Sequence, residues 1–314
     1  MRRDRKMEER KICCRVLTGP TASGKSALAL RLAKEKGLAI LSMDSMQIYM
    51  GLDIGTAKPS QEKRRQVPHY LLDLLDPADS FSVSEYRERA ETLVRELWDK
   101  ERQEVLFVGG TGLYLQAMMH PWSMGAVPAN EEKRNLLRQI ASEPGGKEKL
   151  HARLQVLDPV TAERLPINDV RRIIRAIEVS EATGLPFSQQ PNRHTESAFS
   201  WKIVSTAMPR EMLYERINRR VIQMIQKGLR EEVAGLLASG VPEGAQSMSG
   251  LGYKEMIPCV KGEKSLEETT TAIQLGTRHY AKRQMTFLRR ETDINYVDCT
   301  CEDCFGRIAE ALDL

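Results

Sequence analysis

The stretch Gly19-Pro20-Thr21-Ala22-Ser23-Gly24-Lys25-Ser26 matches the pattern G-x-x-x-x-G-K-[ST]. A loop of this kind points successive backbone N–H groups, and the start of the following helix, at one spot where a di- or triphosphate binds. Lys25 adds a positive charge, and the Ser26 hydroxyl can ligate Mg²⁺, the cofactor that the motif implies. We therefore predict that all eight residues bind phosphate or substrate. A glycine-rich turn without phosphate is the alternative.

The flanking sequence supplies the strand and helix that such a loop requires. Residues 13–18 are apolar enough for a short buried strand, and residues 27–36 are rich in Ala, Leu and Lys, which favour a helix. Residues 38–43 predict a second strand, and Asp44 falls where it ends. In parallel sheets the carboxyl ends of the strands line the ligand crevice, so Asp44 is expected near the bound phosphates. A helix amino-cap is the other interpretation of Asp44.

A third strand-like run, residues 104–108, follows a helix-prone stretch and leads into Gly109-Gly110-Thr111-Gly112. Alternating strands and helices predict a parallel α/β sheet. In most nucleotide hydrolases this strand ends in an Asp that helps to hold Mg²⁺. Glycines and Thr111 replace it here, which argues against ordinary ATP hydrolysis and suggests that a ligand approaches the backbone closely. A plain strand-to-helix turn is the alternative.

The pattern becomes helical after residue 120. Apolar residues then recur at helical spacing, and prolines and glycines divide the stretch into about four helices. Strand character returns at 202–208, helices are expected at 211–237 and 266–290, and a last strand is expected at 294–297. The sequence thus predicts an α/β fold: a P-loop parallel-sheet core (1–119 and 201–314, the latter with C-terminal helices) that carries an inserted all-helical domain (120–200).

Composition limits the class of protein. A chain of 314 residues with 41% hydrophobic content can bury a sizeable core. No apolar run approaches the roughly 18 residues of a membrane span, and the charged amino terminus is unlike a secretory signal, so no membrane contact and a cytoplasmic location are expected. Among the six cysteines, Cys299, Cys301 and Cys304 cluster without a fourth ligand, so we expect reduced thiols rather than a zinc site.

The distribution of charge is more informative than the net value of +4. Residues 278–290 contain five basic side chains and no acid, and Arg171, Arg172 and Arg175 crowd one helical turn. Another basic group lies between Arg210 and Arg220. Any one cluster could be a solvated helix face. Three together favour contacts with the phosphates of a nucleic acid.

Several blocks of the sequence carry a resemblance to a known family. Besides the phosphate loop they are DSMQIY (44–49), DIGTAKP (53–59), PHYLLD (68–73), VGGTGLY (108–114), NDVRRIIRAIEV (168–179), RINRRV (216–221), GLGYKE (250–255) and RHYAKRQ (278–284). In this order they closely resemble the blocks of bacterial tRNA dimethylallyltransferases, over nearly the whole chain. No role follows from the sequence for Asp53 or Lys58, although both lie in matching blocks.

The resemblance implies transfer of a dimethylallyl group from dimethylallyl diphosphate to N6 of the adenosine just 3′ of the anticodon in tRNA, with release of diphosphate. The helical insert is then a clamp for the anticodon stem-loop. The tRNA contacts implied by the resemblance are Asp44, Ser45, Met46, Gln47, Thr111, Arg134, Arg171, Arg172, Ile173, Ile174, Arg175, Ser249, Gly250, Leu251, Gly252, Tyr253 and Lys254. Arg134 lies outside the matching blocks, in a stretch (131–134) whose surroundings diverge from the family's. A monomer is expected.

A mechanistic hypothesis follows from the charges. The loop amides, Lys25, Mg²⁺ on Ser26, and Arg220 would stabilise the departing diphosphate. Asp44 would accept the proton of the attacking amine, and Thr111 would orient that amine. Two rivals remain: a small-molecule kinase in which the insert is a lid and ATP is the donor, and a non-catalytic protein that binds RNA or switches with a nucleotide.

Overall fold

The computed structural model describes residues 11–120, 127–190 and 197–314. The chain divides into two compact units, one formed by Met1–Met119 with Ser197–Leu314 and the other by His120–Glu196. The helices in chain order are α1 (Lys25–Lys36), α2 (Gln61–Gln66), α3 (Val83–Glu101), α4 (Gly112–Met119), α5 (Glu131–Ser142), α6 (Gly146–Leu157), α7 (Pro159–Arg164), α8 (Val170–Thr183), α9 (Arg210–Gln226), α10 (Leu229–Ala238), α11 (Tyr253–Val260), α12 (Leu266–Leu288) and α13 (Cys304–Ala311).

The first unit is built on one parallel sheet. Its strands are β1 (Ile12–Thr18), β2 (Ala39–Ser42), β3 (His69–Tyr70), β4 (Val105–Val108), β5 (Phe199–Ala207) and β6 (Ile294–Asp298). They lie in the order β3-β2-β4-β1-β5-β6, and every neighbouring pair is parallel. The carboxyl ends of β1, β2 and β4 therefore meet at one edge of the sheet, where ligands bind in folds of this type.

The sheet is buried on both faces, as a parallel sheet requires. Val16 belongs to a core with Tyr86 and Phe107 on one face, while Leu17 packs with Leu32 on the other. Each large apolar side chain buried in this way contributes about 2 kcal/mol relative to exposure. Successive side chains of β1 point to opposite faces of the sheet, so they determine which helices pack on each face.

Helix α3 illustrates how the local sequence sets an element. Ser82 and Glu85 form a capping box that satisfies two backbone N–H groups at its start. Its buried residues, including Tyr86, Ala90 and Val94, recur at four-residue spacing and face the sheet. The helix ends at Arg102, whose φ of 52° is left-handed.

The second unit consists of α5 to α8 around a separate apolar core. Leu137, Leu154, Ile173 and Ile177 are central to it. Asp169 caps α8 by accepting the N–H of Arg172, and Gly184 ends that helix in a left-handed conformation. The four helices agree with the helical pattern of the sequence.

The predicted fold class is confirmed, with corrections at several elements. The run at 104–108 is the fourth strand rather than the third, because the two-residue strand β3 precedes it. Strand β5 begins at Phe199, three residues before the predicted start and inside the range predicted for the insert. Helices α2, α4, α11 and α13 were not predicted. In the described part of the chain, no helix is both long and apolar enough to cross a membrane.

Candidate active site

The phosphate loop follows β1 and is held in shape by the protein itself. Gly19 and Pro20 are buried, whereas Gly24 and Ser26 are exposed at the start of α1. Ser23 Oγ shares a hydrogen bond of 2.6 Å with Thr206 Oγ1, and Thr206 also donates to the Thr18 carbonyl at 3.3 Å. Strand β5 therefore anchors the loop from beneath and leaves the start of α1 open for an anion.

Lys25, Arg220 and Asp44 influence one another electrostatically. Burial and, to a smaller extent, the Arg220 cation lower the pKa of Lys25 to about 8, although Asp44 acts in the opposite direction. Burial likewise lowers the pKa of Arg220, again opposed by Asp44. Lys25 Nζ donates to the Pro20 carbonyl at 3.2 Å. Two desolvated cations thus share the region of the phosphate loop with one carboxylate, which leaves an excess of positive charge for an anionic ligand.

Asp44 follows β2 at the same edge and forms a local turn. Its Oδ1 accepts the Met46 N–H at 2.9 Å, so the capping interpretation is correct in kind, although an irregular turn rather than a helix follows. Within the described residues, Oδ2 has no hydrogen-bond donor assigned to it. One oxygen of Asp44 therefore serves the backbone, and the other is free for chemistry.

The Gly109-Gly110-Thr111 turn follows β4 and packs against the turn after β2. The Thr111 N–H donates to the Met43 carbonyl at 3.3 Å, and Thr111 Oγ1 accepts the Ser45 N–H at 3.2 Å. A Cβ on Gly109 would collide with the Met43 carbonyl oxygen, and one on Gly110 with Gln284 Nε2. The expectation of a ligand at these glycines is therefore corrected: protein atoms make the close approach.

Gln284 is a site residue that the sequence analysis missed. Its side chain is buried on α12, accepts the Thr21 N–H at 2.9 Å and donates to the Gly110 carbonyl at 2.8 Å. Its position in the RHYAKRQ block was the only sequence signal. Thr21, predicted to bind phosphate, has its N–H committed to this glutamine.

Arg216 was noted only as part of a basic cluster. It lies on α9 one turn before Arg220, is exposed, and brings Nη1 to 3.5 Å from the point that a Cβ on Gly24 would occupy. Residues four apart share a helix face, so α9 directs two arginines towards the phosphate loop.

Gln47, a predicted tRNA contact, is held at both ends of its amide. Its Oε1 accepts from Ser42 Oγ at 3.0 Å, and its Nε2 donates to the Thr56 carbonyl at 3.2 Å. It is half-buried, as are Ser45 and Met46. The amide keeps a second N–H and a second lone pair, the pair of groups that can read an adenine edge.

Glu232 holds the loop behind Gln47 and was not found from the sequence. It accepts the N–H groups of Asp53, Ile54 and Gly55 at 3.0, 2.7 and 3.2 Å. It also accepts the Tyr253 hydroxyl at 2.6 Å. Four donors on one carboxylate make this loop rigid.

Lys58, for which the sequence gave no role, completes the same loop. Its Nζ donates to the Tyr49 carbonyl at 2.7 Å, to Asp53 at 2.7 Å and to Asp73 at 2.6 Å. Only 1% of its side chain is exposed. Asp53 and Lys58 are therefore structural.

The stretch 249–254 contains both accessible and inaccessible residues. Ser249 and Lys254 are exposed, and Leu251 is half-buried. Tyr253 is corrected as a direct tRNA contact, because its ring is buried and its hydroxyl is bonded to Glu232. Burial also raises its pKa. Gly250 and Gly252 are buried too, and their role is to shape the turn.

In the helical unit, Glu178 binds two arginines that were predicted to contact RNA. Arg134 Nε and Nη2 reach its two oxygens at 2.9 Å each, and Arg175 Nη1 lies 2.6 Å from Oε2. Burial alone would raise the pKa of Glu178, but hydrogen bonds from Arg134, the Asn130 N–H and Arg175 hold it below its usual value. Arg134 also pairs with Glu131 at 3.0 Å. These two arginines support the unit's structure.

The neighbouring residues of α8 divide by exposure. Ile173 and Ile174 are 0% and 4% exposed, so their assignment as direct tRNA contacts is corrected: they form the core of the unit. Arg171 and Arg172 are exposed, and Arg172 pairs with Asp169 at 3.0 Å. Of the predicted cluster, Arg171 and Arg172 are therefore the side chains that α8 exposes to solvent.

Comparison with known proteins agrees with this geometry. The family model described as IPP transferase matches residues 47–291. A tRNA dimethylallyltransferase of Geobacter metallireducens is 43% identical over 93% of this chain and 94% of its own length. One from Geobacillus kaustophilus is 41% identical over 95% of this chain and 94% of its own.

Solved structures give the same result. A tRNA isopentenylpyrophosphate transferase of Bacillus halodurans, 35% identical, superposes with a TM-score of 0.69 over 96% of this chain and 97% of its own. A eukaryotic dimethylallyltransferase acting on tRNA shares the fold, with a TM-score of 0.75 at 23% identity over 91% of this chain and 74% of its own. The phosphate loop, the matching family model and these relatives lead to one conclusion: the chain belongs to the tRNA dimethylallyltransferase family.

Proposed function

We propose that this protein transfers a dimethylallyl group from dimethylallyl diphosphate to the N6 amine of the adenosine just 3′ of the anticodon in tRNA, and releases diphosphate. The observation that carries the proposal is the grouping of Lys25, Arg220 and Asp44 at the phosphate loop. Two cations there can bind an anion, and one carboxylate oxygen can accept a proton. An enzyme that releases diphosphate while deprotonating an amine needs both.

The donor half of the reaction uses the cations. As the allylic C–O bond breaks, its electron pair and negative charge pass to the diphosphate. Lys25, Arg220, Arg216 and the open N–H groups at the start of α1 stabilise that charge. Because the cations are desolvated before the substrate binds, little reorganisation is needed in the transition state.

The acceptor half uses Asp44 and Thr111. The N6 amine is conjugated with the adenine ring and is a weak nucleophile, so a base that accepts its proton as the C–N bond forms is useful. Asp44 Oδ2 is that base, and Thr111, tied to the Ser45 N–H, orients the amine. The adenosine has to leave its stack to reach this position.

Mg²⁺ fits the residues present. Ser26 presents an exposed hydroxyl at the start of α1 beside the loop that would hold the phosphates. Mg²⁺ prefers oxygen ligands and commonly combines one or two protein oxygens with substrate phosphates and waters. Held by the Ser26 hydroxyl, it would neutralise charge on the leaving group.

The helical unit supplies the RNA clamp in this proposal. Arg171 and Arg172 are exposed on α8, and their helix is held by the Glu178 network. Phosphate contacts of this kind position an RNA without reading its sequence. One monomer acting in the cytoplasm on one anticodon stem-loop is the simplest form of the proposal.

The test is a reconstituted transfer reaction. The protein is incubated with Mg²⁺, unmodified tRNA and dimethylallyl diphosphate, and digested tRNA is examined by mass spectrometry for one five-carbon unit on a single adenosine. A tRNA with guanosine at that position, which lacks the N6 amine, is the control. Turnover of the ATP γ-phosphate without any prenyl incorporation would instead support the kinase alternative and contradict the proposal.

A further inference from the structure

Gln284 joins the two halves of the candidate active site. Its Oε1 accepts the N–H of Thr21 in the phosphate loop at 2.9 Å, and its Nε2 donates to the carbonyl of Gly110 at 2.8 Å. The side chain is 7% exposed. One amide therefore spans from the loop that holds the donor to the turn that carries Thr111.

Tyr280 lies on the preceding turn of α12, close to the same residues. Burial raises the pKa of its hydroxyl, and the neighbouring Thr111 and Gln284 side chains act in the opposite direction. Thr111 in turn accepts the Ser45 N–H, next to Asp44. Hydrogen bonds of Gln284 thus join the phosphate loop to Gly110, and the next residue of that turn, Thr111, is bonded to the residue that follows the candidate base.

The turn is shaped to receive this side chain. A Cβ on Gly110 would displace Gln284 Nε2, so glycine at this position leaves room for the amide to make its second bond. The bridge also needs a side chain that accepts at one end and donates at the other, which Gln and Asn alone do at neutral pH without a tautomer change. Asn is one methylene too short for the span.

We propose that Gln284 is a positioning residue that sets the distance between the leaving diphosphate and the acceptor amine. The proposal rests on the prenyl-transfer function proposed above. The attacking nitrogen and the allylic carbon react when they are about 3 to 3.5 Å apart, and a misplacement of about 1 Å can lower the rate about 100-fold. Gln284 touches neither substrate, and it acts by fixing Thr21 and the 109–111 turn relative to each other.

The first experiment separates position from folding. Gln284→Met keeps the length of the side chain and removes both hydrogen bonds. Single-turnover transfer is measured at saturating donor and tRNA, so that the rate constant reports the chemical step and the amplitude reports the active fraction. We expect the rate constant to fall about 100-fold, with the amplitude and both dissociation constants within threefold of wild type.

The matched control lies on the same helix. Gln274 is half-buried, and its Nε2 donates to the Asn218 carbonyl at 3.4 Å rather than to the phosphate loop or the 109–111 turn. Gln274→Met should leave the single-turnover rate constant within twofold of wild type. A Gln284→Met protein that loses amplitude but keeps the rate constant, or that changes in neither, overturns the proposal.

A second variant tests the direction of each hydrogen bond and remains informative if the first folds poorly. Gln284→Glu keeps the acceptor for Thr21 but loses the donor for Gly110 while the new carboxyl is ionised. Burial raises the pKa of a carboxyl. As the pH falls, the carboxyl becomes protonated and can donate to the Gly110 carbonyl, so the ratio of the variant rate constant to that of wild type should rise.

A ratio that stays flat with pH overturns the inference. The wild-type reaction in the same assay keeps the two proposals apart. Wild-type protein that transfers no prenyl group overturns the proposed function itself, whereas an active wild type with unaffected Gln284 variants overturns only the role of Gln284.

Discussion

The half-buried cations of the two units have opposite surroundings. At the phosphate loop, Lys25 bonds only to a backbone carbonyl, and Arg220 has no carboxylate bonded to it among the described residues. In the helical unit, Arg134 and Arg175 are both bonded to the buried carboxylate of Glu178. Among the described residues, the cations at the phosphate loop lack a bonded carboxylate, whereas those of the helical unit have one.

This difference distinguishes cations that bind substrate from cations that stabilise the fold. A desolvated cation without a counter-ion destabilises the folded protein, and it persists where a ligand brings the missing charge. A half-buried cation that is already paired with a buried carboxylate has little left to offer a phosphate, and its removal exposes that carboxylate to an uncompensated burial cost. An exposed pair such as Arg172 with Asp169 is screened by solvent, so its cation can exchange the carboxylate for a phosphate. By this criterion Lys25 and Arg220 act on substrate, while Arg134 and Arg175 hold the helices.

We expect the largest effect on the transfer rate constant from replacing Asp44, the carboxylate beside Lys25 and Arg220. Asp44→Asn keeps an oxygen to accept the Met46 N–H, so the turn is retained, but it removes the proton acceptor. Loss of a general base costs between about 100- and 10,000-fold, and we expect about 1,000-fold in the transfer rate constant. Affinity for tRNA should remain within threefold. An unchanged rate constant would remove Asp44 as the base.

The next effect tests whether the unpaired cation stabilises the leaving group. Arg220→Gln should lower the transfer rate constant about 100-fold, because one charge opposite the developing anion is lost. Arg219→Gln is the matched control on the same helix, since Arg219 is exposed and already paired with Glu215 at 2.6 Å. Its rate constant should be near wild type. Equal losses in the two variants would mean that α9 acts through general charge rather than through Arg220.

Much of this arrangement was accessible from the sequence. The carboxyl ends of parallel strands meet at one edge, so Lys25, Asp44 and Thr111 could be predicted to lie together once the strands before them were recognised. Strand β3 was missed because two residues, His69 and Tyr70, are too few to show a period.

The polar residues that support the site were not predictable in the same way. Gln284, Glu232 and Glu178 all lie on amphipathic helices, where a polar residue is normally assigned to solvent. Each is engaged instead by backbone or side-chain groups distant in the chain. Helical spacing identifies the face of a helix but not the partner across it, so the bonding partners of these three were visible only in the structure.

A smaller effect is expected from the pH dependence of Lys25, whose pKa is lowered to about 8. The protonated form binds diphosphate, so that form predominates below about pH 8 and is lost as the pH rises through this value. The kcat/KM for the donor, which reports the free enzyme, should therefore fall up to tenfold per pH unit above about 8. Lys25→Arg stays charged and should abolish this decline. A decline that persists in Lys25→Arg would assign it to another group.

The smallest effect is expected on the exposed arginines of the helical unit. Arg171→Ala combined with Arg172→Ala should weaken tRNA binding about tenfold at low salt. It should also reduce the slope of log affinity against log salt by up to about two, because two phosphate contacts are lost. The transfer rate constant at saturating tRNA should not change, since neither side chain belongs to the unit that carries the chemistry. Filter binding across a salt series measures both quantities.

Arg134→Ala is the control for the double variant, because it removes an equally charged side chain that is paired with a buried carboxylate. Its guanidinium is bonded to Glu178 and Glu131, so its loss should lower the thermal unfolding midpoint of the helical unit while leaving the salt slope of tRNA binding almost unchanged. If Arg134→Ala reduced the slope as much as the loss of an exposed arginine does, pairing with a carboxylate would not distinguish structural cations from RNA-binding ones, and the contrast between the two units would fail.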